Sequence, residues 1–133
     1  MSQIEETRVY SATPAEVWDK IGDPGKINEW HPVIPKCETD GDNRTCTLSD
    51  GAVIKEQIIS HDDEKMIYTY KILESPLPIR NYESSVSVTP EGDGAKVTWA
   101  SQFEVVDAPA DEIEGAIRGI YVAGLENLDT KFS

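Results

Sequence analysis

The sequence predicts an α+β fold in which a curved antiparallel sheet of about seven strands wraps around one long C-terminal helix. Three observations carry that reading. Asp111–Phe132 has a helical apolar stripe, the stretch from Val33 to Val106 alternates with recurrent turn signals, and two short capped helices interrupt the pattern after the first strand. In the C-terminal stretch Ile113, Ile117, Ile120, Tyr121, Leu125, Leu128 and Phe132 fall on one arc. Asp111 and Glu112 open the helix and Lys131 closes it, the order the helix dipole prefers. At 1.5 Å per residue it reaches roughly 30 Å, the length of a small domain. Gly124 sits at the centre of the apolar arc, where a missing side chain admits another backbone or begins a pocket.

The remaining elements follow in chain order. Ile4–Tyr10 suits an edge or half-buried strand. Thr13-Pro14-Ala15-Glu16 is a capping box with proline at the first helical position, and Val17, Trp18 and Ile21 form the apolar side of the helix that follows. Gly22 ends that helix; Asp23-Pro24 starts a second short one, which Trp30-His31-Pro32 closes. Strands are expected near Val33–Asp40, Arg44–Leu48, Val53–Ser60, Lys65–Glu74, Ile79–Thr89 and Ala95–Val106. Between them lie Gly41-Asp42-Asn43, Ser49-Asp50-Gly51, Asp62-Asp63-Glu64 and Glu91-Gly92-Asp93-Gly94, and Ser75-Pro76-Leu77-Pro78 predicts an open loop. An antiparallel sheet of this extent must cover one face, and the last helix is the only element large enough to do so.

At 133 residues the chain is expected to form one domain, residues 1–133, without repeats. A formal charge of −13 with scattered acidic residues and no basic patch argues against nucleic acid or an anionic membrane surface as a partner. No apolar run reaches the length of a membrane span and no leader pattern opens the chain, so a cytoplasmic location is expected, with thiols reduced.

Strand parity selects the inner face. Val97, Trp99, Phe103 and Val105 share one side of the last strand; Val86 and Val88 set the side of the strand before it. Carried back along that strand, the parity turns Ser84, Tyr82 and Arg80 inward. Met66, Tyr68, Tyr70 and Ile72 share a face, as do Ile54, Glu56 and Ile58. Glu56 and Arg80 are therefore expected on the concave side with the phenols of Tyr68, Tyr70 and Tyr82 between them. That set fits a ligand pocket with a polar end; it equally fits a Glu56–Arg80 ion pair that fixes strand register. Trp99, Ile117, Tyr121 and Gly124 complete the expected pocket lining.

The order of Val17-Trp18, Asp23-Pro24, Trp30-His31-Pro32, Asp50-Gly51 to Glu56, Pro78-Ile79-Arg80-Asn81-Tyr82 and Val97-Thr98-Trp99 resembles the START-like (SRPBCC) superfamily, in its polyketide cyclase/dehydrase and lipid-transport branch. The resemblance spans nearly the whole chain and implies the helix-grip fold. It also implies a cavity for an apolar or aromatic small molecule between sheet and helix, and it supplies no shared catalytic signature.

Other chemistry is thinly represented. The two histidines, His31 and His61, lie on different elements with no metal-ligand spacing, so no metal is expected, and with neither a phosphate-cradling Gly-rich loop nor a dinucleotide fingerprint no cofactor is expected. His31 fits a turn residue better than an acid or base. A two-residue loop at Gly41-Asp42 would set Cys37 opposite Cys46 in a non-hydrogen-bonded pair, close enough for a disulfide, although free thiols are expected in a reducing compartment. Two functions follow, beside a third reading in which the cavity is incidental and the protein works through a partner. One is binding of a small apolar or aromatic molecule oriented by Glu56, Arg80 and the tyrosines. The other is a cofactor-independent cyclase, dehydratase or isomerase, with Glu56 as general base and Arg80 or a tyrosine stabilising an enolate.

Overall fold

The computed structural model describes residues 2–132. Seven strands, β1 (Ser2–Tyr10), β2 (Lys36–Asp40), β3 (Asn43–Thr47), β4 (Val53–Asp62), β5 (Ile67–Glu74), β6 (Ile79–Glu91) and β7 (Gly94–Val105), form one sheet in the order β1-β7-β6-β5-β4-β3-β2. Every neighbouring pair is antiparallel. Helix α1 (Pro14–Ile21) and a 3-10 helix (Pro24–Glu29) lie between β1 and β2, and α2 (Ala110–Phe132) ends the fold. This is the helix-grip arrangement expected from the sequence.

Local chemistry accounts for the boundaries. The capping box at α1 is formed: the Glu16 amide donates to Thr13 Oγ1 (3.2 Å) and the Thr13 amide to Glu16 Oε1 (3.3 Å). Asp23 caps the 3-10 helix through the Gly25 amide at 2.9 Å. Two expected strands begin later than the pattern suggested. Val33–Pro35 stays out of β2 because His31 takes its amides: Val33 N–H donates to His31 Nδ1 (3.1 Å) and Ile34 N–H to the His31 carbonyl (3.2 Å). β5 starts at Ile67 rather than Lys65 because Asp62 Oδ1 accepts from the amides of Glu64 and Lys65, and Met66 closes the turn at φ 55°.

Helix α2 lies along β1 and runs in the same direction. Ser2 Oγ donates to Glu114 Oε2 (2.6 Å), Arg118 Nη1 to Glu6 Oε1 (3.0 Å), Tyr10 Oη to the Leu125 carbonyl (2.6 Å), and Arg8 Nε to Asp129 (2.9 Å). Asn127 adds a bond to the Trp30 carbonyl (2.9 Å). On the side toward β6, among the described residues, Tyr82 and Ser84 bond to the helix, both through the Tyr121 hydroxyl. The core between sheet and helix holds Tyr68, Val86, Val97, Phe103 and Leu128, each fully buried. Helix α2 is thus tied along β1 and, at Ile120 and Asn127, to the Trp30-His31 segment, and is lightly tied toward β6.

Candidate functional site

The concave face carries a buried ion pair. Glu56 lies on β4 directly opposite Arg44 on β3, and both side chains point into the interior, 7% and 1% exposed. Arg44 Nε and Nη2 both reach Glu56 Oε1, at 2.8 and 2.7 Å, and Nη1 donates to the Pro24 carbonyl at 2.7 Å. The guanidinium also lies over the Tyr70 ring, 4.7 Å from its centroid. Burial raises the Glu56 pKa and the facing guanidinium pulls it back. All the donors that reach Glu56, including the Cys46 thiol at 3.7 Å, go to Oε1. Among the described residues nothing bonds to Oε2.

Beside the ion pair stands an aromatic cluster. Trp99 stacks on Tyr121 with centroids 4.2 Å apart. Trp99 Nε1 donates to Tyr70 Oη and Ser84 Oγ, each at 3.1 Å, while the Tyr82 and Tyr121 hydroxyls bond to each other across the gap between sheet and helix. Burial raises the pKa of all three of these phenols, so they are neutral hydrogen-bonding groups at ordinary pH. The cavity between these groups measures about 40 Å³. It is lined by Arg44, Glu56, Tyr70, Tyr82, Trp99 and Tyr121 at its polar end, and by Ile72, Leu77, Ile117 and Ile120 toward the surface. That volume is close to the share of one water molecule, about 30 Å³, so the aromatic rings fill most of the expected pocket. A larger depression, about 560 Å³, lies open to solvent along β1, β5, β6 and β7, near the polar side chains of Gln3, Glu5, Glu83 and Gln102.

Of the residues expected at the site, Glu56, Tyr70, Tyr82, Trp99, Ile117 and Tyr121 meet at this cavity. Arg80 does not. Its side chain is 67% exposed and bonds to Glu104 on the outside of the sheet at 3.0 Å. The cause is a bulge between Arg80 and Glu83, with Asn81 at φ 55°, which reverses the parity carried back from Val86. Tyr68 is fully buried beside Tyr70 but does not line the cavity. Gly124 does not open a space either. A Cβ there would lie 2.6 Å from His31 Cδ2 and 3.0 Å from Trp30 Cζ3, so the two rings occupy the place its side chain would take. His31 is buried: Nε2 donates to the Ile120 carbonyl at 2.7 Å while Nδ1 accepts from Val33. Those partners fix one neutral tautomer, and burial lowers its pKa to about 4.

Sequence reasoning missed Arg44. The signal was present, since Arg44, Cys46 and Leu48 share one parity against Thr45 and Thr47, and that parity places Arg44 inward with the apolar pair.

Comparison with known proteins places this geometry in a family. The model for polyketide cyclase / dehydrase and lipid transport proteins matches residues 1–133. The chain belongs to that family. Like other members it has the START-like fold, and fold and family together support the space between sheet and helix as a ligand-binding groove. A solved structure of the protein XoxI from Bacillus cereus superimposes with a TM-score of 0.95 at 29% identity, covering 99% of this chain and 96% of that one. An uncharacterised protein from Bacillus thuringiensis gives 0.92 at 28% identity, with 98% of each chain covered. Ginseng major latex-like protein 151 from Panax ginseng shares the fold alone, at 18% identity and a TM-score of 0.80 over 99% of this chain and 97% of that one. No curated protein matches the sequence. No helix among the described residues is long and apolar enough to cross a membrane, and no group of three metal-ligating side chains occurs among them.

Proposed function

We propose that this family member binds a small, mainly apolar or aromatic molecule carrying a hydrogen-bond donor, seated between the sheet and α2. The observation that carries the reading is the unshared Glu56 Oε2. A carboxylate is held at the inner end of an apolar cavity by Arg44, with one oxygen saturated and the other left to accept. Tyr82 and Tyr121 stand beside it as further partners for a polar group, and Ile72, Leu77, Ile117 and Ile120 suit an apolar body. A ring-sized ligand needs several times the volume of the cavity as it stands, so binding requires α2 and the Ser75–Pro78 loop to part on the lightly tied side. The bond that must break is the one between Tyr82 and Tyr121, and the ligand's polar group would replace it.

A matched pair of probes tests the polar anchor. Substituted phenols should bind at least about tenfold more tightly than their methyl ethers by titration calorimetry, because only the phenols donate to a carboxylate. Equal affinities would remove Glu56 from the ligand's partners.

The raised, solvent-shielded carboxyl of Glu56 also favours a second reading, a cofactor-independent cyclase, dehydratase or isomerase with Glu56 as general base. The exposed position of Arg80 leaves Tyr82 or Tyr121 as the group near a developing enolate. Under this reading Glu56→Gln lowers turnover of a bound substrate by about 10²-fold or more, whereas under simple binding it changes affinity alone.

A further inference from the structure

We infer that Cys37 and Cys46 form a dithiol site for low-molecular-weight disulfides such as glutathione disulfide, closing to a reversible intramolecular disulfide across the β2–β3 hairpin. The inference rests on the thiol geometry and stands independently of the ligand reading above.

The two residues are direct register partners, in a hairpin whose two-residue loop begins with Gly41 at φ 62°. Counting outward from the Asp40–Asn43 pair places Cys37–Cys46 at a non-hydrogen-bonded position, where Cα atoms approach most closely and a cross-strand disulfide fits without moving the strands. The sulfurs already lie 3.4 Å apart. The two thiols also differ in the way exchange requires. Cys37 is half-buried on β2, the last strand at that edge of the sheet, whereas Cys46 is buried. Cys46 donates its S–H to Cys37, which lowers the Cys37 pKa and raises that of Cys46. Cys37 is therefore the entering nucleophile and Cys46 the resolving thiol.

The steps balance as an exchange. The Cys37 thiolate attacks one sulfur of the small disulfide, forming a mixed disulfide and expelling one thiolate. Cys46 gives up its proton to the thiolate expelled in the first step, and its sulfur attacks Cys37 Sγ, 3.4 Å away. That breaks the mixed disulfide and releases the second thiolate. The two cysteines are oxidised by two electrons, and the small disulfide is reduced to two thiols.

The test uses the reduced wild-type protein, equilibrated with glutathione and glutathione disulfide in varied ratio, then quenched in acid, alkylated and weighed. The expected result is loss of both alkylation sites together and a mass lower by two hydrogens, with no retained glutathione. Cys46→Ser should trap a glutathione adduct on Cys37. Both thiols remaining alkylatable in excess glutathione disulfide would overturn the inference, as would a stable adduct on the wild type or a disulfide-linked dimer.

Discussion

Replacing Arg44 with methionine leaves the Glu56 carboxylate buried without its counter-ion, and the fold should lose about 3–5 kcal/mol in urea unfolding. The double variant Arg44→Met/Glu56→Met should regain most of that loss, because the two charges then leave together. Arg80→Ala should stay within about 0.5 kcal/mol of the wild type, since its partner Glu104 and the guanidinium meet in solvent. The contrast shows what parity could and could not deliver. Glu56 was legible because β4 alternates cleanly around it, and Arg80 was misplaced because nothing in Ile79-Arg80-Asn81-Tyr82 marks the bulge that turns it outward. His31 gives a second test at this scale. It is neutral when folded, with a pKa lowered to about 4, and takes a proton near 6.5 when unfolded. The unfolded state therefore binds more protons between those values, so this contribution is intact above pH 6.5 and is lost as pH falls toward 4. From pH 7 to pH 5 it amounts to about 2 kcal/mol. Glu56, with its pKa raised, works in the opposite sense as pH falls, so the comparison must be with His31→Gln. The variant should lose about 2 kcal/mol less than the wild type over that interval; equal losses would contradict the assignment.

Helix α2 carries three glycines, and the structure separates them. Gly115 and Gly119 face open space, whereas Gly124 lies against the rings of His31 and Trp30. Alanine at Gly115 or Gly119 should stabilise the protein by up to about 1 kcal/mol each through helix propensity alone. At Gly124 the same change drives a methyl into two buried rings and should cost about 1–3 kcal/mol, visible as a lower urea midpoint. The sequence placed Gly124 on the buried face correctly and misread what fills the gap. The rings come from Trp30-His31, nearly a hundred positions away, and no periodicity reports so distant a contact. The opposite holds for α1 and the hairpin turns, whose chemistry is local. Thr13 and Glu16, or Gly41 and its neighbours, carry their own structure in a few residues.

For the molecule as a whole, the order of elements was readable because the long strands alternate over most of their length, turn residues separate them, and one helix is long enough to cover the sheet. The volume of the cavity was not. It depends on how Trp99, Tyr121, Tyr82 and Tyr70 pack against one another, and strand parity says only that they point inward. The resulting design is asymmetric: α2 is bonded to β1 along its length, and toward β6 it is held through the Tyr121 hydroxyl. Opening along that side would expose Glu56 and the phenols to a ligand while leaving the rest of the helix in place. The most direct measurement of this is native mass spectrometry of the purified protein with a panel of phenolic, polycyclic and alkyl-aromatic compounds, with melting temperatures taken in parallel. The account predicts one-to-one adducts that disappear on unfolding, accompanied by a raised melting temperature for the same compounds. A panel that yields no adduct and no thermal shift would contradict a ligand site between sheet and helix.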